Sequence, residues 1–142
     1  MSNGLNLIVT DFESMQKEIE GIRTEVFVIE QNVPVELEMD GFDKDCVHVV
    51  VFDEKEPVAT ARLLPDGHIG RVAVRKKWRK LGIGKLIMQK LIDAARESNF
   101  DEIIVSAQCR VEEFYQKLGF TSFGEVYDDA NIDHIDMRLK LK

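Results

Sequence analysis

The sequence has few of the residues that hold small secreted or metal-dependent folds together. Only two of its 142 residues are cysteines, Cys46 and Cys109, and they form no Cys-x-x-Cys or Cys/His pattern. This excludes a disulfide framework and argues against a structural zinc site. A chain of this length buries roughly 68–70% of its unfolded surface, so folding needs neither a bridge nor a metal. We expect two free thiols in a reducing compartment.

Long apolar runs are absent as well. None approaches the roughly 20 residues that cross a bilayer, and the first residues lack the charged-then-apolar pattern of a signal peptide. No repeat, low-complexity tract or Pro/Gly/Ser-rich linker interrupts the chain. With 44% hydrophobic and 32% charged residues, the composition is that of a globular protein. We therefore expect a cytoplasmic protein with one domain over residues 1–142 and no membrane partner.

Positive charge is scarce but concentrated. The formal net charge is −7, which argues against general nucleic-acid binding, because such binding needs a basic face. Residues 75–85 nevertheless carry six bases and no acid, so subtracting them leaves −13 for the rest of the chain. One basic segment in an acidic protein indicates that an anionic ligand binds there.

Apolar periodicity and turn residues predict the element order β-α-β-β-β-α-β-α-β-β. Apolar residues from Met15 to Val26 recur at spacings of 4, 3 and 4, and Asp11 or Ser14 is a candidate cap for this helix. The acidic segment 34–45 is predicted to be a loop with a short helical turn. The predicted strands are 6–9, 46–52, 58–64, 68–74, 102–107, 120–127 and 132–141, and the later helices follow Gly84 and span 110–118. We expect an α/β (α+β) fold, with a mixed, mostly antiparallel central sheet and helices on both faces.

The basic segment contains a turn with two glycines, Arg79-Lys80-Leu81-Gly82-Ile83-Gly84, between a predicted strand and a predicted helix. Helix N-termini present unpaired N–H groups, and glycines let an anion approach them, so this turn predicts phosphate binding. The Walker pattern does not fit, because Leu86 stands where Ser or Thr is needed. The dinucleotide fingerprint fails because Ile87 replaces its third glycine. The alternative is a basic turn that only connects two elements.

Three motifs in a fixed order resemble a known family. Arg79-x-x-Gly82-x-Gly84 matches the acyl-CoA-binding signature of the GCN5-related N-acetyltransferases (GNAT). Gly70–Val74 is similar to that family's fourth strand, and Phe114–Phe120 to its late F-Y-x-x-L-G-F segment. With the strand order, the resemblance covers about residues 46–140. The segment Arg23–Pro34 resembles a small bacterial branch of the family, and is also similar to acyl-homoserine-lactone synthases, which share the fold.

The resemblance implies acetyl-CoA as the acyl donor, with no metal. Strands 68–74 and 102–107 would splay apart to admit it, and its pantetheine arm would pair with the open backbone edge of Val72 and Val74. The N–H near Val74 would bind the thioester carbonyl, and N–H groups from Lys80 to Lys85 would bind the pyrophosphate. The implied cofactor-binding residues are Val72, Ala73, Val74, Arg79, Lys80, Leu81, Gly82, Ile83, Gly84, Lys85 and Gln108.

Tyr115 matches the family tyrosine that serves as general acid. A phenol is protonated at neutral pH and can donate its proton to the leaving thiolate. The alternative is a core aromatic at helical spacing. Two positions depart from the family pattern, since Gln108 stands where asparagine is frequent and Val111 where alanine is frequent. Cys109 is expected at the start of the short helix, either with a lowered pKa that allows an acyl or mixed-disulfide adduct, or as an inert small residue.

The sequence leaves the general base open. His68 begins the strand beside the expected site and titrates in the right range. Glu30 belongs to the N-terminal segment, which could form one side of the substrate cleft. His134 lies on a late strand that could face the cleft. Deprotonation through water, without any single base, is an equal alternative.

The positions of the acidic residues bear on the charge of the acceptor substrate. Those of segment 36–45, with Asp128, Asp129 and Asp133, either flank the acceptor cleft, which would favour a cationic amine, or form a solvated surface. We expect an acetyl-CoA-dependent N-acetyltransferase that acts by direct transfer on a primary amine of a small molecule or peptide. The alternatives are an acyl-CoA-binding sensor without turnover, and acyl transfer to oxygen or lactone formation. The resemblance also allows a homodimer that pairs through the last strands.

Overall fold

Seven strands form one sheet in the computed structural model of the chain, which describes residues 4–142. The strands are β1 (Leu5–Thr10), β2 (Val47–Asp53), β3 (Glu56–Leu63), β4 (His68–Val74), β5 (Glu102–Gln108), β6 (Thr121–Asp129) and β7 (Ile132–Lys140). Their spatial order is β1-β2-β3-β4-β5-β7-β6. Every neighbouring pair is antiparallel except β4 and β5, which are parallel. The predicted mixed, mostly antiparallel sheet is confirmed.

Four α-helices connect or flank these strands. They are α1 (Gln16–Arg23), α2 (Val35–Glu38), α3 (Ile83–Glu97) and α4 (Glu112–Lys117). The carboxylate of Asp11 accepts a hydrogen bond from the Ser14 N–H at 2.8 Å, so Asp11 is the cap of the first helical segment. The chain continues from α1 into a π-helical segment, Thr24–Glu30, which periodicity alone does not distinguish from an α-helix.

The two faces of the sheet are covered by different helices. Val49 and Val51 of β2 belong to a buried cluster that includes the apolar side of α3. Val50, between them, belongs to a second cluster with Ile19 and Ile22 of α1. Because successive side chains of a strand point to opposite faces, these clusters place α3 on one face and α1 on the other.

The sheet opens between its two parallel strands. β4 and β5 are in register only at His68 with Ile104 and at Ile69 with Val105. The pairing of β3 with β4 is irregular at this level, and Arg71 in β4 has a φ of +50°. That left-handed conformation is unusual for a residue with a side chain, and it marks a bulge that bends the strand. Beyond Ile69 the two strands therefore diverge.

A glycine lies at the closed end of this seam, the line along which β4 and β5 meet. Gly67 has a φ of +97°, and a Cβ at its position would stand 2.8 Å from the Glu102 carbonyl oxygen. The Ile104 N–H donates to the Gly67 carbonyl at 2.9 Å. The turn before β4 thus lies directly against β5, an approach that only glycine permits here.

The acidic segment before β2 is held by buried ion pairs. Three arginines and three acids form this arginine–carboxylate network: Arg23, Arg62, Arg71, Glu38, Asp40 and Asp43. Asp43 Oδ1 accepts from Arg23 Nη1 at 2.7 Å and from Arg62 Nη1 at 3.0 Å. Arg23 Nε also donates to Glu38, and Arg62 donates to both oxygens of Asp40. The network fixes α2 and the following loop against β3 and β4.

Candidate active site

A cavity of about 420 Å³ occupies the gap between the diverging strands. Its walls come from β4, β5, the start of β7, the π-helical segment, α2 and α4. The lining residues are Phe27, Val33, Leu37, Glu38, Ile69, Gly70, Arg71, Val72, Val105, Ser106, Ala107, Gln108, Arg110, Val111, Tyr115 and His134. The opening of the sheet therefore creates the cavity.

The edge of β4 that faces this gap carries free backbone groups. The Arg75 N–H donates to the Val58 carbonyl of β3 at 2.9 Å. Since backbone groups alternate in direction along a strand, Val74 and Val72 direct theirs away from β3, toward the gap. Ala73 pairs with β3 and its side chain is buried in the cluster with α1, so its backbone is not offered to the gap. Val72 and Val74 thus present free backbone groups to the gap, whereas Ala73 does not, and the cofactor-binding roles of the three residues stay predictions.

The loop with two glycines follows β4 and starts α3. Gly82 has a φ of +83° with no atom within 4 Å of its Cβ position, and a Cβ at Gly84 would meet only Phe114 Cζ, at 3.8 Å. The backbone here is open to a ligand, and the first N–H groups of α3 have no partners within the helix. A second cavity of about 240 Å³ adjoins it, lined by Val74, Trp78, Arg79, Lys80, Gly82, Ile83, Gly84, Lys85 and Phe114. Leu81 lies outside this lining, with its side chain exposed.

Two bases of the predicted basic segment are neutralised by acids. Arg79 binds Glu30 through two hydrogen bonds, of 2.6 and 2.7 Å, and its Nε donates to the Val74 carbonyl at 2.8 Å. Arg75 pairs with Glu25 and Glu56. The Arg79 guanidinium therefore anchors the loop to β4 and to the π-helical segment, and its charge is paired with Glu30. Among residues 4–142, the lysines of the segment make no ion pair: Lys76, Lys77, Lys80 and Lys85.

Tyr115 lies where α4 meets the cavity. Its ring packs edge-on against Phe114 and Phe120, with centroids 5.1 and 5.6 Å away. Burial raises the pKa of its phenol, which therefore stays protonated at neutral pH. The residue is both a packed aromatic and part of the cavity wall, and its role as general acid stays a prediction.

Of the residues just before α4, some line the cavity and others do not. Gln108 and Val111 both line the cavity, and the Gln108 side-chain oxygen Oε1 accepts from Arg110 Nε at 2.7 Å. Cys109 does not line it, and burial together with Asp133 and Glu112 raises the pKa of its thiol. The alternative of a lowered thiol pKa is wrong, because burial and the nearby acids disfavour the thiolate.

Only one of the three candidate bases reaches the cavity. His68 is half-exposed beside Asp66, at the closed end of the seam. Glu30 is engaged by Arg79, whose hydrogen bonds lower the pKa of the carboxyl and occupy both of its oxygens. His134 is buried in the cavity wall, stacked on Tyr127 with centroids 5.9 Å apart.

The acids predicted to flank the acceptor cleft lie elsewhere, with one exception. Glu38 lines the cavity, while Asp40 and Asp43 are engaged by arginines of the network. Glu36 and Asp45 are exposed and outside the cavity lining, as are Asp128, Asp129 and Asp133 of the β6–β7 hairpin. The predicted acidic rim is therefore wrong for this cavity.

Two broader features concern the described part of the chain. Within residues 4–142, no group of three or more His, Cys, Asp or Glu side chains is placed to hold a metal ion. No helix in that range is both long and apolar enough to cross a membrane.

Comparison with known proteins agrees with this geometry. A family model described as an acetyltransferase (GNAT) domain matches residues 10–141. The uncharacterized N-acetyltransferase YjcF of Bacillus subtilis is 35% identical over 137 residues, which cover 94% of this chain and 98% of that relative. The chain belongs to the GNAT acetyltransferase family. As a GNAT protein it is an enzyme of the N-acetyltransferase class, as its three motifs predict.

Solved structures give the same result for this GNAT chain. An acyl-CoA N-acyltransferase from Pseudomonas aeruginosa matches with a TM-score of 0.85 and 31% identity, over 95% of this chain and 99% of that one. Escherichia coli ElaA matches with a TM-score of 0.85 and 30% identity, over 96% and 99%. The predicted acyl-CoA N-acyltransferase fold is confirmed. Proteins of this family use an acyl-CoA donor and amine acceptors.

The motifs of the GNAT family did not reveal the charged wall of the cavity. Arg71 lies within the matched fourth-strand motif, yet its side chain reaches across to α2. One signal was available, because Arg62 is the one charged residue in the largely apolar run 58–63 of β3, and a buried arginine needs acidic partners. The acids of segment 36–45 were candidate partners for it, although they were expected only to flank the acceptor cleft or to form a solvated surface.

Proposed function

We propose that this GNAT protein transfers an acetyl group from acetyl-CoA directly to a primary amine of a small molecule or peptide. The observation that carries the proposal is the open edge of β4, which begins where the pairing with β5 stops and runs toward the glycine loop. Tyr115 and His134 line the cavity beside that edge. A donor binding site and candidate proton-transfer groups thus adjoin one another.

Acetyl-CoA fits the features around this edge. The backbone groups of Val72 and Val74 would pair with the amides of its pantetheine arm, as an added strand does. The open backbone at Gly82 and Gly84, at the positive end of α3, suits its pyrophosphate, and Lys80 and Lys85 line the same cavity. When bound, acetyl-CoA supplies an activated acetyl thioester. The Val74 N–H would then donate to the thioester carbonyl oxygen and stabilise the negative charge that develops there.

Two side chains would move the protons of the transfer. The Tyr115 hydroxyl would donate its proton to the leaving sulfur, since its raised pKa keeps it protonated. His134 Nδ1 lies 2.8 Å from the Ile132 carbonyl oxygen. Because a carbonyl only accepts, Nδ1 must carry the hydrogen, and in the neutral ring Nε2 is left as the proton acceptor. We assign Nε2 of His134 as the base that takes a proton from the acceptor amine.

Gly84→Ala is expected to weaken acetyl-CoA binding about tenfold or more, because the added methyl group keeps phosphate oxygens from the N–H groups of α3. The fold should tolerate the change, since the new Cβ meets only Phe114 at an ordinary 3.8 Å. Isothermal calorimetry with acetyl-CoA measures the effect. Gly21→Ala is the control, because nothing lies within 4 Å of that Cβ position either. No binding of acetyl-CoA to the wild type at high micromolar concentration would overturn the proposed function.

His134→Gln is expected to lower kcat by about 100-fold or more, which is the usual size of a lost general base. His68→Gln is the matched control and should retain activity close to wild type, because His68 lies at the closed end of the seam. Release of CoA thiol at saturating acetyl-CoA, followed across pH, measures both variants. Equal losses in the two variants would show that His134 is not the base.

The sensor alternative makes a different prediction for the same assay. A sensor would bind acetyl-CoA and release no CoA with any amine, whether or not Tyr115 is intact. Identification of an O-acylated product or a lactone by mass spectrometry would instead favour acyl transfer to oxygen.

A further inference from the structure

Two arginines that the transfer chemistry leaves unused line the central cavity. Arg71 comes from the bulge of β4, and Arg110 from the turn between β5 and α4. Arg71 thus reaches the cavity from β4, and Arg110 from the turn that directly follows β5. Each has part of its guanidinium engaged by the protein and part without a partner.

Arg71 is fixed in place by α2 and the network. Its Nη2 donates to the carbonyl oxygens of Leu37 and Glu38, at 3.2 and 3.1 Å, and to Asp40 Oδ2 at 3.2 Å. Its Nε is buried without a hydrogen-bond partner, 3.7 Å from Glu38 Oε1. Nη1 has no partner among residues 4–142, and the side chain is 27% exposed. Arg71 is thus held by one end and keeps N–H groups for a ligand.

Arg110 is held in a similar way on the opposite side. Its Nε donates to the Gln108 side-chain oxygen at 2.7 Å, which orients the guanidinium. Its two terminal nitrogens have no partner within the described part of the chain. Arg110 makes no ion pair with any of residues 4–142, so its charge is not neutralised there.

The charge balance of the cavity wall is positive. Glu38 is the one carboxylate among the lining residues, and it is engaged by Arg23. Burial and the nearby Arg62 lower the pKa of Arg71. Its contacts with Asp40 and Glu38 are long, at 3.2 and 3.7 Å, so these acids compensate its charge only in part. An anion in the cavity would supply that compensation.

One side of the remaining wall is apolar. Phe27, Val33 and Leu37 face the cavity from the N-terminal part of the chain, and Leu37 is itself 68% exposed. A volume of about 420 Å³ is in the range of pockets that bind small molecules. The wall therefore combines an apolar side with two oriented guanidinium groups.

Resting on the proposed acetyl transfer, we propose that the acceptor is an amine that also carries a carboxylate, which Arg71 and Arg110 bind. Planar guanidinium groups match a carboxylate through paired hydrogen bonds, and the partly dry site strengthens them. The ligand class is thus an amino acid or a similar amino carboxylate with an apolar side chain. This replaces the cationic amine that an acidic rim would have favoured.

The test compares acceptors that differ only in the carboxylate. Leucine, methionine and phenylalanine are each assayed against their carboxamides and their decarboxylated amines, with release of CoA thiol as the readout. The wild-type protein is expected to favour the carboxylates by about 10- to 100-fold in kcat/KM, the usual gain from a charge-assisted hydrogen bond. Equal or better use of the amides or decarboxylated amines would overturn the proposal.

Arg110→Gln is expected to lower that preference at least about tenfold, because the substitution removes the charge of an exposed side chain. Arg96→Gln, on the exposed side of α3, is the matched control and should keep the wild-type preference. Arg71→Lys is a second variant for the same measurement of carboxylate preference, since lysine keeps the charge but not the paired hydrogen-bond geometry. An unchanged preference in both Arg110→Gln and Arg71→Lys would contradict the assignment.

The donor site is measured separately, so the two proposals can fail independently. Calorimetry with acetyl-CoA alone tests the transfer function without any acceptor. If acetyl-CoA binds but no amine in the panel reacts, N-acetylleucine and N-acetylisoamylamine are titrated into the complex with CoA. Binding of N-acetylleucine alone supports the carboxylate site, and equal or absent binding of the two overturns it.

Discussion

Replacing Tyr115 with phenylalanine is expected to lower kcat by about 10²- to 10⁴-fold, the range found for a lost general acid. Phenylalanine keeps the edge-on packing of the ring against Phe114 and Phe120 and removes only the hydroxyl. The fold and the donor site should therefore persist, and the calorimetric Kd for acetyl-CoA should stay near that of the wild type. Steady-state release of CoA thiol at saturating acceptor measures the loss.

Tyr127→Phe is the matched control, because Tyr127 is the only other tyrosine of the chain. Its hydroxyl donates to Asp136 Oδ1 at 2.7 Å and contacts Ser106, and it does not line the cavity. Removing that hydroxyl should leave kcat within a few-fold of the wild type. A Tyr115→Phe enzyme that retains more than about a tenth of wild-type kcat would show that Tyr115 serves packing alone, because a true general acid contributes far more.

The second large effect is on stability. Asp43→Asn is expected to lower the free energy of unfolding by about 3–5 kcal/mol, the usual cost of breaking a buried ion pair from one side. The Asp43 side chain is 8% exposed and accepts from both Arg23 and Arg62, so the change weakens the partnering of two buried guanidinium groups. Urea denaturation at neutral pH measures the difference.

Asp45→Asn is its control on the same loop, because Asp45 is exposed, and exposed substitutions usually change stability by less than about 0.5 kcal/mol.

The pH dependence of stability gives a further check. Burial opposes ionisation of Asp43, but hydrogen bonds from its two arginines outweigh this and lower its pKa, so its stabilisation exists above the unfolded pKa and is lost as pH falls below about 4. Burial also lowers the pKa of His48, whose contribution is lost as pH falls below about 6.5. In the Asp43→Asn variant, only the loss of unfolding free energy below about pH 4 should become smaller. Equal acid sensitivity of the variant and the wild type would contradict this account.

The sequence predicted the donor side of the site better than the acceptor side. Strand β4 and the glycine loop follow one another closely in the chain, and the segment around Tyr115 is itself a short motif, so local patterns predicted these elements. Their roles toward the donor stay predictions. The acceptor wall joins α2, β4 and β7, which are far apart in sequence, and only the folded sheet brings Glu38, Arg71 and His134 together. Residue spacing along the chain carries no information about contacts between such distant segments.

Individual residues show where more could have been predicted. Arg23 follows Ile19 by four residues and precedes Val26 by three, so it shares the apolar face of its helix and is buried there. An arginine on such a face predicts a buried acidic partner. The positive φ of Arg71 could not have been predicted, because nothing in a Gly-Arg-Val-Ala-Val strand marks a bulge at arginine.

The two-residue register between β4 and β5 has a thermodynamic consequence. Backbone groups at the centre of the sheet have no strand partner, because only His68 and Ile69 of β4 pair directly with the β5–β7–β6 half. A donor that lies in the gap would complete the sheet and bind the native state alone. By mass action such a ligand stabilises the fold by about 2.7 kcal/mol at 100 times its Kd. Donor concentration would then set the enzyme's resistance to unfolding as well as its rate.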